Sequence, residues 1–106
     1  MEKLIEKVEK WGDDKGIVSP ENVDKQFMKF IEEVFEFKNE ITFMKWTDQG
    51  SEKDLKMEMG DILVTLIIMA KQLNVDLEDC LSMAYNKISK RKGKTIGGTF
   101  VKEEDL

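Results

Sequence analysis

Apolar residues recur at helical spacing along most of the chain. From Val23 to Trp46 they stand three or four positions apart, with no glycine or proline between them. The Ser19-Pro20-Glu21 sequence before this stretch is typical of a helix start, because serine can cap, proline has its φ preset for the first turn and glutamate complements the helix dipole. The pattern therefore predicts a central helix of about 27 residues that begins here.

Three further helices are predicted around this one. A second periodic segment runs from about Glu52 to Leu73, after a polar break at residues 47–51. Asp76 is the expected cap of a helix that continues to about Arg91 and ends before Gly93, and a short amphipathic helix is expected at Glu2–Trp11. Strand signals are nearly absent. The predicted fold is therefore all-α, a four-helix bundle with two long central helices.

The length of the central helix predicts a partner subunit. At 1.5 Å per residue this helix spans about 40 Å, whereas a compact chain of this size has a radius of gyration of about 13 Å. Phe35, Phe43 and Trp46 fall partly outside a single apolar stripe of the helix. We therefore expect dimerisation to complete the bundle, as a homodimer or a dimer of dimers.

Composition and charge limit the other classes of protein. The 106 residues suit one domain over 1–106, with a C-terminal tail from about 95 to 106. The net charge of −5 argues against a nucleic-acid polymer as partner, because neutralising phosphates needs a basic face. No apolar run approaches the length of a membrane span, and the start lacks the apolar core of a signal peptide. Together with the single cysteine, Cys80, these features predict a cytoplasmic protein with no membrane partner.

The chain has no histidine, which restricts its chemistry to carboxylates and lysines. A Ser-His-Asp triad, a Cys-His pair and zinc sites with imidazole ligands are excluded. A di-iron carboxylate bundle is disfavoured as well, because that site normally uses Glu-x-x-His.

Two pairs of carboxylates stand out in the long helices. Glu33 and Glu36 are three residues apart and share a helix face, and Glu58 and Asp61 repeat the spacing in the second helix. The residues after Asp61 are apolar except Thr65, so we expect Asp61 near the core. Buried carboxylates that lie close together need a positive partner. Oxygen ligands without histidine or thiol favour a hard divalent cation, Mg²⁺ first and Mn²⁺ as its substitute.

Neither pair predicts a metal site alone, since Glu-Glu-x-x-Glu is common on solvated helices. The repetition in two long helices, with the second pair leading into a buried run, is what favours a metal site over surface decoration. Gly60 stands between the acids of the second pair, and we expect it to let the two long helices approach closely.

These motifs have a familiar order. Glu32-Glu33-x-x-Glu36 followed by Glu58-x-x-Asp61 resembles the signature of the MazG-like, all-α nucleoside triphosphate pyrophosphohydrolases. Lys29 stands in the Lys-x-x-Glu-Glu position, and residues 86–94 resemble the basic end of the family's last helix. The ending from Arg91 to Lys102 is similar to small MazG-like proteins of bacteria and phages. The resemblance extends from about residue 11 to the terminus.

The resemblance implies an activity and a role for each acid. The expected reaction is hydrolysis of a (deoxy)nucleoside triphosphate between its α and β phosphates, releasing monophosphate and pyrophosphate, with cleansing of the nucleotide pool as a cellular role. By position, Glu33, Glu36, Glu58 and Asp61 would be Mg²⁺ ligands, and Glu32 would orient or deprotonate the attacking water; the alternative for Glu32 is a plain surface acid. The alternative function is a non-catalytic helical interaction or nucleotide-sensing protein with a structural metal site.

Several residues are candidates for substrate contact. Gln26 and Lys29 lie on the acidic face within reach of a triphosphate, although Lys29 has an equal alternative as half of a Lys/Glu helix pair. Trp11 is a candidate for stacking on the base, although an aromatic residue at helical spacing is more often in the core. The end of the last helix offers an amide and counter-charge for phosphates, or alternatively complements the helix dipole; its candidates are Asn86, Lys87, Lys90, Arg91 and Lys94.

Overall fold

The computed structural model describes residues 1–47 and 51–106, so most of the predicted polar break, residues 48–50, lies outside the described residues. The described residues contain two short and two long helices, which confirms the predicted all-α fold. These helices are α1 (Glu2–Lys15), α2 (Val23–Thr47), α3 (Glu52–Leu73) and α4 (Leu77–Ile88). Within these described residues, no helix combines the length and the apolar character that crossing a membrane requires.

The helix boundaries depend on local capping. Asp76 caps α4 as predicted, because its Oδ1 accepts hydrogen bonds from the backbone N–H groups of Glu78 at 2.8 Å and Asp79 at 3.4 Å. The prediction for Ser19 is wrong in detail: its side chain makes no capping hydrogen bond, and a single 3₁₀ turn at Pro20–Asn22 precedes α2. The first helix runs beyond its predicted end, and α4 stops short of the predicted residue 91.

Residues 1–75 form one compact unit, here called the first unit. Its core lies on the second half of α3, where Ile67, Ile68, Met69 and Ala70 are buried. The helices α1 and α2 both pack on α3, and α1 comes close to α3 at Gly12, since a Cβ there would lie 2.6 Å from Cδ1 of Ile68. This packing fixes α2 against α3 and therefore positions the side chains on their facing surfaces.

Residues 76–106 form a second compact unit, which contains α4 and a β-hairpin. Strands β1 (Gly93–Ile96) and β2 (Thr99–Lys102) pair antiparallel. Gly97 and Gly98 make the two-residue turn, with φ of 58° and 82°, which is the backbone that a tight hairpin requires and that glycine adopts without strain. The expectation of almost no strand is therefore wrong for residues 93–102, most of which were expected in a tail. The single-domain organisation stays a prediction.

Candidate metal centre

The packing of α2 on α3 brings three predicted carboxylates together. Glu33 and Glu36 project from α2 and Glu58 from α3, and one carboxylate oxygen of each lies within 4.8 Å of those of the other two. Glu33 and Glu58 are partly buried, whereas Glu36 is exposed. We call Glu33, Glu36 and Glu58 the acidic cluster. It is therefore open to solvent at Glu36 and partly covered at Glu33 and Glu58.

The environment of the acidic cluster disfavours its negative charge. Burial raises the pKa of Glu33, and repulsion from Glu36 and Asp61 raises it further. Burial likewise raises the pKa of Glu58 above its usual range, again with repulsion from Glu36 and Asp61. In each case a hydrogen bond with Glu36 also favours the protonated form. These effects all act in the same direction, so ionisation of Glu33 and Glu58 is disfavoured.

Two oxygens at this site have no partner. Within the described part of the chain, Oε2 of Glu33 and Oε2 of Glu58 are buried and accept no hydrogen bond. Buried polar atoms in proteins are nearly always satisfied, by protein, water or an ion. A carboxylate oxygen that is buried, unpaired and surrounded by other carboxylates has the environment that a bound cation would satisfy.

The donor set suits a hard dication. Mg²⁺ binds oxygen at about 2.0–2.1 Å in an octahedron and usually keeps several waters. Neighbouring ligand oxygens then stand about 3 Å apart, so the three oxygens of the acidic cluster, which lie within 4.8 Å of one another, would have to move closer together on binding. The exposed side of the acidic cluster leaves room for the remaining ligands to be water or substrate oxygens. The residues present therefore fit Mg²⁺.

The predicted burial of Asp61 is wrong. Asp61 is exposed, because the buried part of α3 begins only at Thr65, one turn later. Its charge still acts on Glu33 and Glu58, although it does not stand among the three residues whose oxygens converge. The prediction for Gly60 is also wrong: a Cβ at this position would meet nothing within 4 Å, so the contact of the two long helices does not depend on it.

Glu32 faces solvent beside the acidic cluster. Its Oε2 lies 3.7 Å from Nζ of Lys29, one turn earlier on α2, and more than half of each side chain is exposed. Lys29 therefore does form a Lys/Glu helix pair, with Glu32 as the partner. Such exposed pairs contribute little to stability. Gln26 lies on the same helix and is partly buried.

The other predicted substrate residues are spread over both units. Trp11 lies on α1 in the first unit, and 48% of its surface is exposed. The remaining ones are all exposed and belong to the second unit, which is described by itself. They are Asn86 and Lys87 on α4, Lys90 and Arg91 in the turn that follows, and Lys94 on β1.

The sequence analysis missed Glu40. This partly buried residue lies seven positions after Glu33 and four after Glu36, so it continues the acidic face of α2 by one more turn. Its charge contributes to the raised pKa of Glu58. The signal was present in the helical spacing, but Glu40 lies outside the two short motifs on which the prediction rested.

Comparison with known proteins places these residues within a matched region. The family model for the MazG nucleotide pyrophosphohydrolase domain matches residues 23–96, which include both acidic pairs. A protein of Haemophilus phage HP1 (strain HP1c1), described as an uncharacterized 18.2 kDa protein in the rep-hol intergenic region, is 30% identical over 76 residues. The match covers 72% of this chain and 43% of the phage protein, so the chain spans less than half the length of this relative. No solved structure matches the chain.

Proposed function

Because the chain belongs to the MazG nucleotide pyrophosphohydrolase family, we propose that it hydrolyses (deoxy)nucleoside triphosphates between the α and β phosphates. The products are a nucleoside monophosphate and pyrophosphate, and the reaction depends on Mg²⁺, with Mn²⁺ as a substitute. The observation that supports this proposal best is the acidic cluster, in which Glu33 and Glu58 each keep a buried oxygen without a partner.

Each acid of the cluster has a role in this proposal. Glu33, Glu36 and Glu58 would hold the metal directly. Asp61, whose charge acts on Glu33 and Glu58, would be the fourth ligand by its position in the sequence motif. When bound, Mg²⁺ supplies neutralisation of the phosphate charge and activation of water. The packing of α2 on α3 brings the carboxylates of the acidic cluster near one another before the metal arrives.

Glu32 is the proposed general base. It is about 100° around α2 from Glu33, which places it beside the acidic cluster instead of inside it. Its exposed carboxylate can take a proton from the attacking water and pass it to solvent. The Lys29 ammonium at 3.7 Å keeps the Glu32 side chain near this position.

Substrate contacts are assigned by residue type. Gln26 and Lys29 lie on the helix that carries the acidic cluster, and we assign them to phosphate oxygens. The charged and amide side chains of the second unit are assigned to the phosphates and sugar, and Trp11 to the base. The residues assigned in the second unit are Asn86, Lys87, Lys90, Arg91 and Lys94.

The cellular role that fits this chemistry is removal of noncanonical or surplus nucleotides in the cytoplasm.

The protein is also proposed to act as a homodimer or a dimer of dimers. The support is the exposure of large apolar side chains along α2, where Phe35 is 64%, Phe43 is 45% and Trp46 is 83% exposed. Large apolar side chains exposed along one helix are consistent with a surface that another subunit covers.

The test is a product assay. The purified protein is incubated with Mg²⁺ and a panel of canonical and modified triphosphates, and the products are identified by ³¹P NMR and chromatography. We expect monophosphate and pyrophosphate, and no turnover by Glu33→Gln or Glu58→Gln. Glu2→Gln, an exposed acid of α1, is the matched control and should keep full activity.

Two outcomes contradict the proposal. Release of orthophosphate as the first product means that a different phosphoanhydride bond is cleaved. No turnover of any triphosphate, combined with thermal stabilisation by Mg²⁺, favours the non-catalytic protein with a structural metal site.

A further inference from the structure

The second unit contains a cleft of about 550 Å³ with charged walls. Its size is within the range of small-molecule sites in proteins, about 300 to 1,000 Å³. Three of the lining residues are basic, namely Arg91, Lys92 and Lys102, and two are acidic, Glu103 and Glu104. Only Arg91 was a candidate from the sequence, so this cleft adds residues that the motifs did not identify.

The backbone holds the acidic residues against the basic ones. In the hairpin Gly93 is opposite Lys102, and the ladder continues one step further, where the Glu103 N–H donates to the Lys92 carbonyl at 2.7 Å. Glu103–Asp105 then form a 3₁₀ turn, here called the acidic turn. Its position is therefore set by main-chain hydrogen bonds and survives a change of its side chains.

The side-chain contact inside the cleft is weak by comparison. Glu104 Oε1 lies 3.6 Å from Nζ of Lys102, and 73% of the Glu104 side chain is exposed. An exposed pair at this distance contributes little to stability. A ligand with several anionic oxygens can displace such a carboxylate, because it contacts all three cations at once and offers Arg91 a two-pronged acceptor.

We propose that this charged cleft binds an oligophosphate group and that the acidic turn gates it. Without ligand, the carboxylates of Glu103 and Glu104 neutralise the cations, and the oligophosphate replaces them on binding. The choice of oligophosphate rests on the proposed function, which supplies it as triphosphate substrate or pyrophosphate product. The gate is a property of residues 91–104 alone.

Binding without turnover tests the gate. Calorimetric titration of the full chain with pyrophosphate, in metal-free buffer at low ionic strength, compares the wild type with Glu103→Gln/Glu104→Gln. We expect about fivefold tighter binding by this variant, from the loss of the weak Lys102–Glu104 ion pair and of the negative charge of Glu103 at the cleft. The control Glu2→Gln/Glu6→Gln makes the same change in net charge on α1 and should bind as the wild type does. Lys92→Gln/Lys102→Gln should bind more weakly than the wild type.

Each result has a defined consequence. Equal affinities for the gate variant and the α1 control overturn the gate, and unchanged binding by Lys92→Gln/Lys102→Gln overturns the site itself. Parallel titrations with a nucleoside triphosphate and a nucleoside monophosphate show whether the bound oligophosphate comes from the substrate or from the pyrophosphate product. If citrate binds as tightly as pyrophosphate, the assignment to an oligophosphate is overturned. Circular dichroism checks folding, with Glu104→Gln alone as the second gate variant.

The proposed function and the gate can fail separately. If the wild type hydrolyses triphosphates but the gate variant binds pyrophosphate no more tightly, the proposed function stands and the gate is overturned. If the wild type shows no turnover but the gate variant binds pyrophosphate more tightly, the proposed function is overturned and the gate is supported.

Discussion

At Glu33 and Glu58, partial burial and neighbouring negative charge act in the same direction, and this makes the stability of the metal-free protein depend on pH. Both pKa values are raised above the ordinary 4.5. The folded state therefore binds more protons than the unfolded state as the pH rises above 4.5, and linkage requires the free energy of unfolding to fall over that range. Thermal unfolding of the metal-free protein from acid to neutral pH should show this decrease.

Single substitutions test how each carboxylate contributes to the stability of the metal-free protein. Glu33→Gln and Glu58→Gln remove a disfavoured charge, so in metal-free buffer at neutral pH each should unfold at a higher temperature than the wild type. The same variants should lose the stabilisation by Mg²⁺, which in the wild type should grow as the pH rises and the carboxylates ionise. A wild type that gains stability with pH while metal-free contradicts the assignment of charge repulsion to this site.

Glu32 should behave differently from its neighbour Glu33. Since it is exposed and lies outside the acidic cluster, Glu32→Gln should keep the stabilisation by Mg²⁺ and lose turnover, by about 10²-fold or more if it is the general base. The measurement pairs a thermal shift with Mg²⁺ against a rate with a triphosphate. Retention of most of the turnover would make Glu32 a surface acid that pairs with Lys29.

At the scale of elements, we expect alanine substitution at two helical glycines to affect stability differently. A Cβ at Gly60 meets nothing within 4 Å, so Gly60→Ala should stabilise α3 by up to about 1 kcal/mol through helix propensity alone. A Cβ at Gly12 would lie 2.6 Å from Cδ1 of Ile68 and 3.0 Å from Cγ1 of Val18, and Ile68 is fully buried. Gly12→Ala should therefore not raise the free energy of unfolding, because crowding between α1 and α3 offsets the gain in helix propensity. Denaturant unfolding of both variants checks the contrast.

The helices and the pairing of acids within each helix were predictable because both depend on a local period. Residues three and four apart share a face of any helix, so the spacing placed Glu33 with Glu36 on one face of α2 and Glu58 with Asp61 on one face of α3. The burial of Asp61 was not predictable in this way. An apolar run indicates that a helix is buried. The residue at which its burial begins depends on where the neighbouring helices end.

The hairpin was missed although its signal was present. Gly97 and Gly98 lie between two short stretches with β-branched residues, Thr95-Ile96 and Thr99 with Phe100-Val101, which is typical of a two-residue hairpin turn. The strong helical pattern before it favoured an all-helical interpretation of the whole chain. Gly93 also fits the hairpin, because a Cβ there would overlap the Val101 carbonyl oxygen on the paired strand.

At the scale of the whole molecule, the two units hold different chemistry. The first unit concentrates carboxylates that suit a dication, and the second holds a cleft with three cations that suits anionic oxygens. Both kinds of group can neutralise phosphate charge, the carboxylates by holding a dication and the basic side chains directly. The net charge of −5 therefore lies in residues 1–75, since residues 76–106 carry six acidic and six basic side chains.

The exposed apolar surface of α2 makes the last prediction, which concerns assembly. If another copy of the chain covers Phe35 and Trp46, replacing either with a charged residue places that charge in an apolar interface, at a cost of several kcal/mol. Sedimentation at micromolar concentration should therefore show a dimer or tetramer for the wild type and a smaller species for Phe35→Glu. Lys3→Gln, which makes the same change in net charge at an exposed position of α1, is the control and should sediment as the wild type does. A wild type that is monomeric under these conditions leaves both aromatic side chains in water and contradicts the predicted assembly.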